Sequence, residues 1–291
     1  MHTLLKGSTK EVKIGHDLPF VMIGEKINPT GHKKLAAALL SGDFEYIKSL
    51  VEKQMAWGAD VLDVNVGVPG LDEVAMIPKV VELIYSLADI PICLDSGNPQ
   101  VLEAGLKAAR GKPLVNSVSG EENRLKTVLP LVKDRNAAVI GLTMDESGIP
   151  SSATGRLAVA EKILNQAAKL GIPAEDVIID PLVLTVGSDS KAASITLETI
   201  SLLRKELGVN INLGASNVSF GLPDRMVINQ SFLALGIQAG ATCSITDPAK
   251  MGMTVKATDL LMGRDANSLH YLKYFRNAEK LRAVEAEKAQ N

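Results

Sequence analysis

The sequence alternates, eight times over, between a short β-branched apolar run and a longer segment rich in Ala, Leu, Lys and Glu. The apolar runs lie at 21–28, 60–66, 91–95, 113–117, 137–143, 177–180, 210–214 and 241–245, and each ends in Gly, Asn, Asp or Pro or close to one. They predict strands. The segments at 43–57, 73–88, 99–110, 123–135, 155–170, 191–207, 224–239 and 255–262 predict helices. Phe44, Ile47, Leu50, Val51, Met55 and Trp57 recur at helical spacing, as do Val74, Ile77, Val80, Val81, Ile84 and Leu87. Gly58, Gly111, Gly171, Gly208 and Gly240 each stand a few residues before a strand, where a glycine takes the left-handed position that ends a helix. Strands alternating with helices predict a parallel sheet. The run Val177-Ile178-Ile179 predicts burial on both faces. Eight such units fit a closed (β/α)8 TIM barrel, which forms one domain of roughly 250 residues. An open dinucleotide-binding sheet would carry G-x-G-x-x-G after its first strand, and none stands there. No linker divides the chain, so a single domain over 1–291 is expected. Residues 1–19 precede the first strand and cap the barrel bottom or form a hairpin. Residues 276–291 are charged and Ala-rich and predict a helical tail.

Composition narrows the classes of function. Lys and Arg total 31 against 33 Asp and Glu, a net charge of −2. That balance offers no footprint for nucleic acid or an anionic membrane. No apolar run reaches the roughly 18 residues of a membrane span. The stretch Met1–Ser8 lacks a basic segment followed by an apolar one, so no signal peptide is expected and the cytoplasm is the default compartment. The two cysteines, Cys93 and Cys243, sit inside apolar strands and read as packing rather than chemistry. No His or Cys cluster has zinc-ligand spacing, and no metal site is expected.

In a barrel of this kind the site forms at the C-terminal ends of the strands. Polar residues collect there: Glu25 and Asn28; Asp63 and Asn65; Asp95; Asn116; Asp180; Asn217 and Ser219; Asp247. Any one of them could be a helix cap or turn residue, and Asn98, Asp72 and Asp247 are expected to be caps. Strand after strand ending this way describes a mouth built to hydrogen-bond a planar polar heterocycle. The mouth has carboxylates and amides but no histidine at any strand end; His32 in the first loop reads as solvated. No phosphate-binding loop and no G-x-S-x-G elbow appears. The chemistry therefore points to positioning a ligand and stabilising charge.

These stretches resemble the pterin-binding methyltransferases, the methyltetrahydrofolate:corrinoid-protein methyltransferases, to which the folate module of cobalamin-dependent methionine synthase is related. The likeness is carried by Ile23–Asn28, Leu62–Gly67, Cys93–Ser96, Val115–Ser117, Ile140–Met144, Ile179–Leu182 and Gly214–Ser219, in family order. The resemblance implies that Asp95, Asn116 and Asp180 hold the pterin ring. It implies that Asn217 reaches N5, the atom that carries the methyl group, and that Arg225 stands at the same mouth. Arg225 as a helix-start residue paired to a surface acid is the other reading. Glu25, Asn28, Asp63, Asn65 and Ser219 are expected to support the site. An ionised carboxylate can accept the adjacent donors of a pterin edge, and Asn116 can both donate and accept.

The resemblance further implies tetrahydrofolate or 5-methyltetrahydrofolate as substrate and a corrinoid as methyl partner. No cobalamin-binding segment D-x-H-x-x-G and no zinc module occurs in this chain, so the corrinoid is expected on a separate protein. The expected activity is methyl transfer between that corrinoid and N5, with the second methyltransferase of a demethylase or one-carbon pathway as the favoured setting. The alternatives are a dihydropteroate synthase-like enzyme and a non-catalytic folate-binding or corrinoid-docking barrel. The former would need an Arg-x-His closing the last strand, where this chain reads Thr246-Asp247-Pro248. The resemblance also implies a homodimer, with which the apolar content of 224–239, more than one buried face needs, agrees.

Overall fold

In the computed structural model, residues 1–290 are described, with side chains through Glu287. The eight predicted strands are present: β3 (Val21–Ile27), β4 (Val61–Val64), β5 (Ile92–Asp95), β6 (Leu114–Ser119), β7 (Ala138–Leu142), β8 (Val177–Asp180), β9 (Asn212–Leu213) and β10 (Cys243–Thr246). They pair in parallel in the order β8-β7-β6-β5-β4-β3-β10-β9. The two ends meet through one parallel bridge, Ile179 to Ile211, and the Ile179 N–H donates to the Asn210 carbonyl at 2.9 Å. The sheet is thus a barrel with one thin seam. The seam falls at β9, where Asn210, Asn212 and Gly214 interrupt the apolar run and leave a strand of two residues.

Around the sheet lie α1 (Lys33–Ser41), α2 (Phe44–Ala56), α3 (Glu73–Leu87), α4 (Pro99–Ala108), α5 (Glu122–Asp134), α6 (Ala153–Lys169), α7 (Ala192–Leu207), α8 (Arg225–Ala239), α9 (Pro248–Leu261) and α10 (Leu269–Gln290). The expected caps are caps. Asp72 accepts from the Ala75 N–H, Asn98 from Gln100 and Asp247 from Ala249. Two helices depart from expectation. The helix α1 was not predicted; it buries only Leu35, Ala38 and Leu39, and His32 before it makes no side-chain cap. The helix α9 starts at Pro248, not 255. Residue 291 of the expected tail lies outside the described residues, and the helix holding the rest starts at Leu269.

Residues 1–19 form a hairpin and also cap the barrel. β1 (His2–Lys6) pairs antiparallel with β2 (Glu11–Gly15). Leu5 and Ile14 are fully buried against Val21, Ile23, Val61, Cys93, Leu114, Ala138, Ile140, Ile178 and Cys243, the inward side chains of the lower barrel. The alternate residues, among them Met22, Leu62, Leu94, Val115, Val139 and Ile179, belong to the larger core shared with the helices. Two-residue periodicity therefore sorts each strand between barrel interior and helix layer. Both cysteines are buried, as the packing reading expects.

Candidate functional site

The same periodicity builds the mouth. Two residues beyond Ile23, Val61, Cys93, Leu114, Ile178 and Asn210 come Glu25, Asp63, Asp95, Asn116, Asp180 and Asn212. The lower members are sealed by the hairpin, so the upper ones carry their polar groups into the top of the barrel. Register strengthens the grouping, since Asp95 stands opposite Asn116 and Asp63 opposite Cys93.

Asp95 is the centre of one group. Asn65 Nδ2 donates to its Oδ2 at 3.0 Å and Asn28 Nδ2 at 3.4 Å. Asn116 Nδ2 reaches Asp63 Oδ1 at 3.5 Å. The Asn116–Ser117 peptide is cis. Asp63 is 1% exposed. Burial first, and then the nearby Asp95 charge, push its carboxyl well above the usual range. Burial also raises Asp95, while the Asn65 amide works against the rise. Of the two neighbouring carboxyls, Asp63 is the one with no exposed face from which to shed that penalty.

Asp180 forms the second group. Its Oδ1 accepts the Leu182 N–H at 2.8 Å, and Asn212 Nδ2 donates to its Oδ2 at 2.7 Å. Burial lifts its pKa to about 6, against the pull of these two donors and of Arg156. Leu182 takes a left-handed φ of 62°, a conformation that costs a side-chain-bearing residue energy. Arg156, itself 1% exposed, holds this turn by donating to the carbonyls of Pro181 at 2.8 Å, Leu182 at 3.0 Å and Pro150 at 3.0 Å.

The loop after β9 coils into a 3₁₀ turn, Ala215–Ser219. Asn217 is exposed on it, and among the described residues its carboxamide makes no hydrogen bond. Ser219 is fully buried and donates to Asn229 Oδ1 at 2.6 Å. Arg225 does not pair with a surface acid. Its Nε donates to Ser219 Oγ at 3.0 Å and its NH2 group to the Ser216 carbonyl at 2.8 Å. It clamps the turn that presents Asn217. Glu25, Ser216, Arg225, Asn229, Asp247 and Lys250 line a cavity of about 240 Å³ at this side of the mouth.

Three contributors were not picked out from sequence. Asn212 and Arg156 orient Asp180. Lys26 bridges Glu25 Oε1 at 3.2 Å and Asp247 Oδ2 at 2.9 Å, so Asp247 is more than a cap. A polar residue two before Gly214 in a buried strand was the available signal for Asn212; for Arg156 the helical pattern offered none. His32 is exposed, as expected. Among the described residues, no group of three His, Cys, Asp or Glu side chains could hold a metal ion, and no helix is long and apolar enough to cross a membrane.

The barrel mouth is lined by amides and by carboxylates of raised pKa, and the comparisons give the chain a family. Residues 24–247 match the sequence profile described as "Pterin binding enzyme", and the chain belongs to that family. It is 30% identical over 267 residues to a methylcorrinoid:tetrahydrofolate methyltransferase of Eubacterium limosum, covering 89% of this chain and 97% of that one. It is 32% identical over 253 residues to a methionine synthase of Mycobacterium tuberculosis, covering 82% of this chain and 21% of that one. These relatives are methyltransferases, which bears out the reading of the chain as one. A dihydropteroate synthase of Xanthomonas albilineans with 4-aminobenzoic acid superimposes with a TM-score of 0.69 at 20% identity, over 91% of this chain and 99% of that one. That likeness bears out the barrel.

Proposed function

We propose that this chain transfers a methyl group between N5 of tetrahydrofolate and a corrinoid carried on a separate protein, with tetrahydrofolate as the acceptor. The observation that carries the proposal is the grouping of Asp95, Asn116 and Asp180 in one mouth, beside an exposed, unengaged Asn217. The 30% identity to a methylcorrinoid:tetrahydrofolate methyltransferase supports both the substrates and the direction.

In this reading Asp180 and Asp95 accept the donors of the pterin edge, and Asn116 serves its mixed face. The corrinoid supplies the methyl group and keeps the electron pair of the bond that breaks. The N5 lone pair takes the methyl carbon, and the N5 cation so formed still carries a proton. The Asn217 carboxamide oxygen accepts from that N–H and stabilises the charge; an amide cannot ionise, so it does not take the proton. The proton leaves through the polar mouth to solvent, and in reverse the same path returns it. Asp63 accepts from the Asn116 amide and holds it in place. We also propose that the enzyme is a homodimer, because Val227 and Leu235 of α8 are 57% and 53% exposed.

Calorimetric titration with tetrahydrofolate and 5-methyltetrahydrofolate tests the pterin site. Binding by the wild type that disappears in Asp180→Ala is the expected result; equal binding by both proteins would refute the placement. Asn217→Ala is expected to lower turnover by ~10²–10³ with little change in folate affinity, the effect of losing one charge-stabilising group. Parallel loss of affinity and turnover would remove Asn217 from that role.

A further inference from the structure

The loops after β8 and β9 form a lip that carries apolar surface no part of the described chain covers. Phe220 is 68% exposed and Leu184 39%. Single exposed apolar residues are ordinary on a soluble protein. Phe220 differs in how firmly it is held. Thr185 Oγ1 donates to its carbonyl at 2.7 Å, and the Val186 N–H donates to the Val218 carbonyl at 2.9 Å, so the two loops are tied to each other. Gly187 packs closely enough that a Cβ there would lie 3.2 Å from the Phe220 carbonyl oxygen. The Arg225 guanidinium stands 5.5 Å from the centre of the ring, within cation–π range. Arg225 is fixed in turn on Ser216 and Ser219.

Phe220 is also tied to Asn217. Its N–H donates to the Asn217 carbonyl at 3.2 Å. That single 3₁₀-type bond spans the distance between them, and both residues are exposed, so they neighbour one another on the lip. Displacement at a methyl carbon requires attacking atom, carbon and leaving atom in line. If Asn217 sits at N5, the corrin plane must then lie across the mouth, over the lip.

Resting on the corrinoid reading, we infer that Phe220, with Leu184 on the adjoining loop, is the apolar seat for the corrin macrocycle that the carrier protein presents. Phe220 is a positioning residue; it touches the edge of the incoming ring and takes no part in proton or methyl movement. A rigid aromatic on a tied loop gives large contact area with little ordering left to do on binding.

The test uses the full chain, tetrahydrofolate and free cobalamins as probes. Three quantities are measured: KM and kcat for methylcobalamin, Kd for hydroxocobalamin by equilibrium dialysis, and Kd for tetrahydrofolate by calorimetry. Phe220→Ala is expected to raise the cobalamin KM and Kd together by about tenfold, the scale of a central contact residue. Its tetrahydrofolate Kd should stay within about twofold, the scatter expected for a residue outside that contact set. Phe220→Tyr, which keeps the ring, should restore wild-type values. An unchanged cobalamin Kd in Phe220→Ala overturns the inference. So does a matching loss of tetrahydrofolate affinity, which would make Phe220 a prop for Arg225. Folate binding without saturable cobalamin binding by the wild type overturns the seat alone. Failure of the wild type to bind either ligand overturns the corrinoid reading and the inference with it.

Discussion

Asp180 meets two opposed demands. In the pterin-anchoring role proposed for it the side chain works as an anion, yet it is buried, and its pKa rises from 3.8 to about 6. Between those values the folded protein keeps a proton that the unfolded chain has released. The stability this group contributes therefore falls as pH rises from about 4 to about 6, and levels off above. Folate binding runs the other way, because the carboxylate must be ionised to accept two donors. Tetrahydrofolate affinity is expected to drop about tenfold from pH 7.5 to pH 5, the slope of one titrating group. Asp180→Asn should bind more weakly at pH 7.5 and flatten the part of the profile that Asp180 contributes. A profile equally steep in that variant would assign the titration to Asp95 instead. Asp95, Asn116 and Asp180 were legible in the sequence because each is a lone polar residue at an inward position after an apolar run. Asn212 hides in a strand of two residues. Arg156 sits on an amphipathic helix where a charge reads as solvated, and only the turn after β8 shows why its guanidinium is buried.

At the scale of elements, strands were more legible than helix starts. Each apolar run ends against Gly, Asn, Asp or Pro or close to one, and all eight strands fall where those runs do. The helix α9 was read too short because Gly252 interrupts its pattern, although Asp247-Pro248 is a cap followed by a first-turn proline. The glycine answers to a neighbour rather than to its own helix. A Cβ on Gly252 would lie 2.0 Å from the Tyr274 hydroxyl of α10, which donates to the Pro248 carbonyl at 2.7 Å. Gly111 is similar. It takes a φ of 64°, three residues beyond the end of α4, and a Cβ there would meet the Gly7 carbonyl oxygen at 2.0 Å. It does not end the helix as expected, because α4 is already capped by the extended Ala109; its lack of a side chain leaves room for the hairpin. Gly252→Ala is expected to cost about 1–3 kcal/mol, the range for overpacking a filled site, as read by urea denaturation. Adding Tyr274→Ala should cost less than the sum of the two single changes. Strict additivity would show that the two residues do not compete for the same space.

Across the whole molecule, the seam between β8 and β9 joins the fold to the site. One backbone bridge closes it, and side chains hold it at both ends. At the bottom, Asn210 Nδ2 donates to Thr3 Oγ1 at 2.9 Å and to the Ile14 carbonyl at 3.0 Å. Thr3 donates to the Glu175 carbonyl ahead of β8, and His16 Nε2 lies 2.9 Å from the Val209 carbonyl ahead of β9. The hairpin thus staples the seam from below. At the top, the Asn212–Asp180 hydrogen bond crosses it, so one contact serves closure and orients the carboxylate proposed to anchor the ligand. The two ends should separate on mutation. Asn210→Ala leaves buried hydrogen-bond partners unsatisfied and is expected to destabilise by about 2–4 kcal/mol, more than one such group costs, with folate affinity kept at temperatures where the protein is folded. Asn212→Ala removes a donor from the Asp180 carboxylate, so that carboxyl titrates higher and the midpoint of folate binding moves above pH 6. Hydrogen exchange at Ile211–Leu213 should speed in both variants, because both loosen the seam. A shift of the binding midpoint in Asn210→Ala as large as in Asn212→Ala would mean that the seam transmits strain along its length. An unshifted midpoint in Asn212→Ala would mean that burial alone sets the Asp180 proton.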